Sequence, residues 1–136
     1  MITVDEERMA EFFCKYHIRG LPNAAVLHHF GSADAPDAHP HDHPWGFRSI
    51  ILHGGYVERV FQPDGSSELI HRKVGDSFDI AASHIHRIEE LPEGECWTLI
   101  MPGPHEQTSG FYDFRPDGAY QRRWNEQEWR LCEVTC

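Results

Sequence analysis

Basic residues are scarce in this chain: 12 Lys and Arg stand against 22 Asp and Glu, a formal net charge of −10. Proteins that grip a nucleic-acid backbone ordinarily carry a basic excess, so no nucleic-acid partner is expected. No apolar run approaches the roughly 20 residues that cross a bilayer. The start, Met1-Ile2-Thr3-Val4-Asp5-Glu6-Glu7, lacks the basic-then-apolar order of a secretory signal. A cytoplasmic protein without a membrane partner is the expectation. Cys14, Cys96, Cys132 and Cys136 are scattered without a Cys-x-x-Cys pair, which points to reduced thiols rather than a disulfide framework. Cys132 and Cys136, four apart, would take up metal only adventitiously, and Cys14 has no neighbouring base to make it a nucleophile. Phosphate loop, Gly-x-Ser-x-Gly elbow and His-Glu-x-x-His helix are all missing. So are internal repeats and low-complexity linkers, and 136 residues suit a single domain over 1–136.

A hydrophobic fraction of 40% is enough for a real core. The three-and-four spacing of Met9, Phe12, Phe13 and Tyr16, after acidic Asp5, Glu6 and Glu7, predicts a helix over about 5–17, stopped by Gly20 and Pro22. From there the signals turn β-like. Strands are predicted over Ala25–Phe30, Phe47–Leu52, Tyr56–Gln62, Glu68–Lys73, Ser77–Ile80, Ile85–Leu91, Cys96–Met101, Gly110–Phe114 and Ala119–Trp124. Gly54-Gly55, Pro63-Asp64-Gly65, Gly75-Asp76 and Pro102-Gly103-Pro104 punctuate them. Asn125 is placed to cap a short helix through Leu131. Short strands with turns every eight to twelve positions predict an all-β sandwich or barrel over about 25–124, with the helices outside.

Histidine carries the chemistry. His39-Pro40-His41-Asp42-His43-Pro44 places imidazoles at alternate positions. In an extended chain residues two apart share a face, so His41 and His43 aim two neutral donors at one point. A third donor from elsewhere would complete a metal site with open positions. The alternative is a polar loop beside two prolines.

These residues resemble the first motif of the cupin superfamily: His41-Asp42-His43, then Phe47 where Glu is expected, then Gly54. Gly75-Asp76, leading through Ala81-Ala82-Ser83 to His86, is similar to the second motif, with the Pro and Gly of its turn replaced by Ala81 and Ser83. His-Asp-His-Pro-Trp, Gly54-Gly55-Tyr56 and Trp97-Thr98-Leu99 are also similar to a group of small bacterial cupins. The resemblance spans about residues 25–101. It implies a double-stranded β-helix (jelly-roll barrel) with His41, His43 and His86 on one divalent metal.

Phe47 removes the usual carboxylate ligand, as in cupin-type thiol dioxygenases, which bind Fe(II) by three histidines. Three neutral donors leave the metal its full charge, which suits an anionic substrate. The resemblance therefore favours Fe(II), although the ligand set accepts zinc, nickel, manganese or copper. A mononuclear non-haem iron dioxygenase acting on a small molecule is the leading expectation. A metal-dependent sugar isomerase or epimerase, and a non-catalytic ligand-binding barrel, stand as alternatives. A homodimer is expected, since small cupins often pair through a sheet edge.

Other residues are pocket candidates. His39 is expected at the rim. His84 shares the parity of His86 and either lines the pocket or simply hydrogen-bonds. Phe47 fills the core or blocks a coordination position. Trp45, Trp97 and Tyr112 are candidate walls. Strand alternation turns either Glu58 or Arg59 inward, and an inward Glu58 would stand in for the missing carboxylate ligand. Arg59 and Arg87 are candidate carboxylate clamps, with Arg87 expected in solvent. One of His28 and His29 faces inward. Whether Asp42 supports a ligand histidine is open.

Overall fold

The computed structural model describes residues 1–132. Twelve strands and no helix occur among them. No helix long and apolar enough to cross a membrane is therefore present among the described residues. The strands are β1 (Thr3–Ala10), β2 (Phe13–Arg19), β3 (Ala25–Phe30), β4 (Trp45–His53), β5 (Tyr56–Phe61) and β6 (Ser67–Arg72). β7 (Ser77–Ile80), β8 (Ile85–Glu90), β9 (Cys96–His105), β10 (Gly110–Arg115), β11 (Gly118–Arg123) and β12 (Arg130–Leu131) follow. One six-stranded sheet runs β1-β2-β3-β9-β4-β7. Two three-stranded sheets run β6-β5-β8 and β10-β11-β12. They do not close into a barrel.

The expected N-terminal helix is a β-hairpin. Asp5 pairs with His17 and Glu7 with Lys15 across it, and the ion pairs Arg19–Asp5 and His17–Glu7, both 2.9 Å, knit the two strands together. The helical spacing misled because its aromatics serve opposite faces of β2. Phe13 stacks on Phe30 at 4.6 Å, whereas Tyr16 stacks on Trp97 at 5.7 Å. Pairing of β2 with β3 covers an edge that a helix would have left open. The expected C-terminal helix is also absent. Leu131 and Arg130 pair with Tyr120 and Gln121, and Trp129 lies edge-on to His39 and beside the Arg115 and Arg122 guanidinia.

The barrel-region strands lie where alternation and turn residues put them, with ends shifted by a residue or two. β9 is the exception, running through Pro102-Gly103-Pro104 to His105. Its ladder with β4 slips between Trp45 and Phe47, and at such a bulge a missing proline N–H costs little. Cys14 and Cys96 are buried free thiols, while Cys132 is disulfide-bonded, against the expectation of reduced thiols. Cys136 lies outside the described residues.

The sheets pack through Ile51 of β4, Tyr56 of β5, Ile88 of β8 and Cys96 of β9, all at most 6% exposed. Each fully buried aliphatic side chain contributes about 1.5–3 kcal/mol. The β4–β5 connection depends on Gly54, with φ +83° and Glu95 O only 1.9 Å from where a Cβ would stand. Gly75 has a similar φ of +93° but open space around it. Gly75→Ala is expected to cost only the left-handed backbone, about 1–2 kcal/mol. Gly54→Ala carries the same strain plus the clash, so its urea midpoint should fall clearly further; equal midpoints would refute this account.

Candidate metal centre

Residues 40–43 cross between the two smaller sheets and sew them together. His41 N–H donates to His86 O at 2.9 Å and His86 N–H to His41 O at 3.0 Å. Tyr112 N–H donates to Pro40 O at 2.9 Å and Asp42 N–H to Gly110 O at 3.1 Å. Asp42, 3% exposed, faces away from the histidines. Its carboxylate accepts from Gly110 N–H at 2.7 Å and Tyr112 O–H at 2.8 Å. It thus braces β10 and supports no ligand histidine directly.

Alternation sends His41 and His43 the other way. With His86 they form a group in which one ring nitrogen from each lies within 4.8 Å of the others, able to hold a metal ion. Ring centroids stand 5.3 Å apart for His41–His43, 4.9 Å for His41–His86 and 4.8 Å for His43–His86. Burial foremost, then the neighbouring imidazoles, pulls His41 to a pKa of about 3 and His43 to about 2. Both rings are therefore neutral donors at pH 7. His43 Nδ1 is buried with no hydrogen-bond partner in the protein.

Glu58 is the inward residue of its pair and is 0% exposed. It is not positioned as a fourth ligand of the three-histidine group. Oε1 takes His84 Nε2 at 2.7 Å and His86 Nδ1 at 3.0 Å, and Oε2 accepts from Arg72 Nε at 2.8 Å. Burial opposes its charge, but these hydrogen bonds prevail and hold its pKa well below the carboxylate range. The bond to Nδ1 fixes the His86 ring and leaves Nε2 for a metal, the usual support of a metal-binding imidazole. Glu58, His84 and His86 also satisfy the distances of a metal group. Neither Glu58 nor His84 lines the cavity, however, and both Glu58 oxygens and His84 Nε2 are already hydrogen-bonded.

The three histidines open onto a cavity of about 430 Å³. Trp45 and Phe47 line it, with Phe47 5.2 Å from the His43 ring. Other candidates lie elsewhere. His39 is exposed and packs on Trp129 at 4.7 Å. Trp97 is on the outer face, 4.4 Å from the His29 ring, because its neighbours Cys96 and Thr98 take the inner one. Arg59 turns outward to Glu89 and Ser67, both at 2.9 Å. Arg87 binds Glu89 and Ala38 O. Lys15, His28, Ser49, Tyr56 and Thr98, unremarked or unresolved in sequence, also line the cavity. The signal that would have found them is a polar residue at the inward parity of an apolar strand.

No protein-family model matches the chain, and no curated protein matches its sequence. Solved structures do. Hydroxypropylphosphonic acid epoxidase from S. wedmorenis aligns with TM-score 0.58 at 10% identity, over 74% of this chain and 55% of that one. Lactobacillus farciminis oxalate decarboxylase, in its formate complex, aligns with TM-score 0.58 at 19% identity, over 76% of this chain and 31% of that one. Bacillus subtilis oxalate decarboxylase, in a structure concerned with its Mn(II) centres, gives 0.57 at 16%, over 77% and 29%. The chain has the cupin fold. The chain spans about half the length of the epoxidase and under a third of each decarboxylase.

The Glu58 network makes a pH prediction. A carboxylate held below its unfolded pKa, about 4.3, contributes stability that is complete above that value and is lost as pH falls toward the folded value. Glu58→Gln should therefore flatten the fall in urea-unfolding free energy below about pH 4.5. Glu58→Ala, which strands Arg72, should cost about 3–5 kcal/mol at pH 7. An unchanged acid limb in Glu58→Gln would count against the network.

Proposed function

We propose that this cupin is a metal-dependent enzyme in which His41, His43 and His86 hold one divalent ion, Fe(II) by preference, for oxygenation of a small molecule. The observation that carries the reading is the convergence of three imidazoles, two of them held neutral by burial, on a cavity of about 430 Å³. The ligand chemistry fits. Neutral imidazole suits Fe, Zn, Ni and Cu alike, and three ligands leave positions open for exogenous molecules. One structural neighbour, Fe(II)-HppE with an alternative substrate, contains Fe(II), and the Bacillus subtilis oxalate decarboxylase has Mn(II) centres.

Fe(II) bound there would supply redox capacity toward O2 and a positive charge for an anionic substrate. The chain's own residues do the rest. Glu58 orients His86 and, through it, offsets part of the ion's charge. Phe47, beside His43, puts an aromatic wall where a carboxylate ligand is common, so the ligand set stays neutral. Trp45 and Phe111 extend that wall and limit water around the substrate. The isomerase alternative loses ground because its proposed acid/base groups, Glu58 and His84, bind each other away from the cavity. A cytoplasmic location and a homodimer remain part of the proposal.

Metal content of protein purified without a His-tag tests the reading. Near-stoichiometric iron in the wild type and its loss in His86→Ala are expected, with iron-dependent O2 uptake on a panel of small thiols and acids. Glu58→Gln should weaken metal affinity about 10–100-fold while leaving the three ligands in place. Stoichiometric metal without O2 uptake across that panel would retire the dioxygenase. Little metal in wild type, even after reconstitution, would retire the metalloenzyme and favour the ligand-binding barrel.

A further inference from the structure

The cavity has a second polar region, on the six-stranded sheet. Lys15 of β2 pairs with His28 of β3, and His28 pairs with Thr98 of β9. The three form one row across the inner face. Ser49 of β4 pairs with Ile100, two residues beyond Thr98, and so lies in the next row of the same face. All four residues line the cavity onto which the histidines open.

These groups are poorly satisfied by the protein. His28 Nε2, Ser49 Oγ and Thr98 Oγ1 are buried without a hydrogen-bond partner among the described residues, and Ser49 and Thr98 are 0% and 1% exposed. A buried polar group left unpaired is destabilising, and more than nine in ten are normally paired. Three orphans on one wall of one cavity therefore mark a place shaped for polar company. Lys15 adds a charge. No carboxylate lies within ion-pair distance of it among the described residues; the Phe13 ring stands 5.8 Å from Nζ, and burial lowers the Lys15 pKa while the more distant Glu7 charge opposes that. Glu7, opposite Lys15 in the hairpin, is taken by His17. The two lining carboxylates are also engaged: Asp42 by Gly110 and Tyr112, Asp34 by Ile88 N–H at 2.8 Å. Burial and the nearby Lys15 hold His28 neutral.

We propose that this row is a carboxylate anchor: the substrate is a small organic acid whose carboxylate is held by Lys15 with hydrogen bonds from His28, Ser49 and Thr98. Its other end points to the three-histidine group, a placement that rests on the metalloenzyme reading. A lysine ammonium on a cavity whose two carboxylates, Asp34 and Asp42, are already hydrogen-bonded by the protein, in a chain of net charge −10, selects an anion locally against the field of the whole. The hydroxyls and imidazole complete the oxygen contacts that a point charge alone leaves loose. A volume of about 430 Å³ suits a molecule of metabolite size.

Calorimetric titration of malonate, succinate and glutarate, each against its uncharged diamide, tests the anchor on wild type, Lys15→Met and Thr98→Val. Each protein is run metal-free and zinc-loaded, with zinc binding measured separately. At least one diacid should bind metal-free wild type about tenfold or more tighter than its diamide, equivalent to about 1.4 kcal/mol. Lys15→Met should abolish that preference while zinc stoichiometry is kept. Thr98→Val, nearly isosteric, should weaken the diacid several-fold and serves as the readout if Lys15→Met does not fold. No diacid preference in wild type, or a preference that survives both substitutions, overturns the proposal. Lys15-dependent diacid binding in a protein that takes up no zinc keeps the anchor and removes the metalloenzyme reading instead.

Discussion

The reciprocal backbone hydrogen bonds between His41 and His86 are the contact on which the candidate centre depends. They join residues 45 positions apart in the sequence, so neither local propensity nor turn chemistry could impose them. Once formed, they do two things together. They link β8 to β10 through a single bridging residue. They also set the imidazoles of His41 and His86 side by side, with His43 following from alternation. The geometry of the donors is thus a by-product of main-chain pairing, which is stiffer than any arrangement of side chains.

Electrostatics sorts the interior into two regimes. Around Glu58, charge is buried and compensated: one carboxylate serves two imidazoles and a guanidinium. Such a cluster is weak evidence for stability, because desolvation offsets much of the attraction. Its value lies in fixing the His86 ring. Around the cavity the reverse holds. His28, His41 and His43 are held neutral there by burial, and among the described residues the hydroxyls of Ser49 and Thr98 have no hydrogen-bond partner and the Lys15 ammonium no carboxylate at contact distance. The first region is finished by the protein; the second is left for something else to finish.

Much of the fold was legible because strand periodicity and turn residues are local. Nine strands and the Gly54-Gly55 turn follow from that pattern. The hairpin at the start was not legible: Met9, Phe12, Phe13 and Tyr16 repeat at helical spacing, and only the open edge of β3 decides for a strand. Trp129 likewise holds the C-terminal stretch extended through contacts with His39, Arg115 and Arg122, none of them close in sequence.

The sequence by itself determined the alternation that puts His41 and His43 on one face, that only one of Glu58 and Arg59 can face inward, and the turns that divide the strands. Those depend on chemistry within a few residues. Only the tertiary structure decided that Glu58 is the inward one, that it grips His86 instead of taking a ligand position, and that Lys15, His28, Ser49 and Thr98 share a cavity wall with the histidines, whereas His86 itself is supplied by the cupin resemblance. These groups come from strands separated by up to 83 positions. Their proximity is set by the order β2-β3-β9-β4 within one sheet, and strand order is a property of long-range pairing that no local pattern encodes.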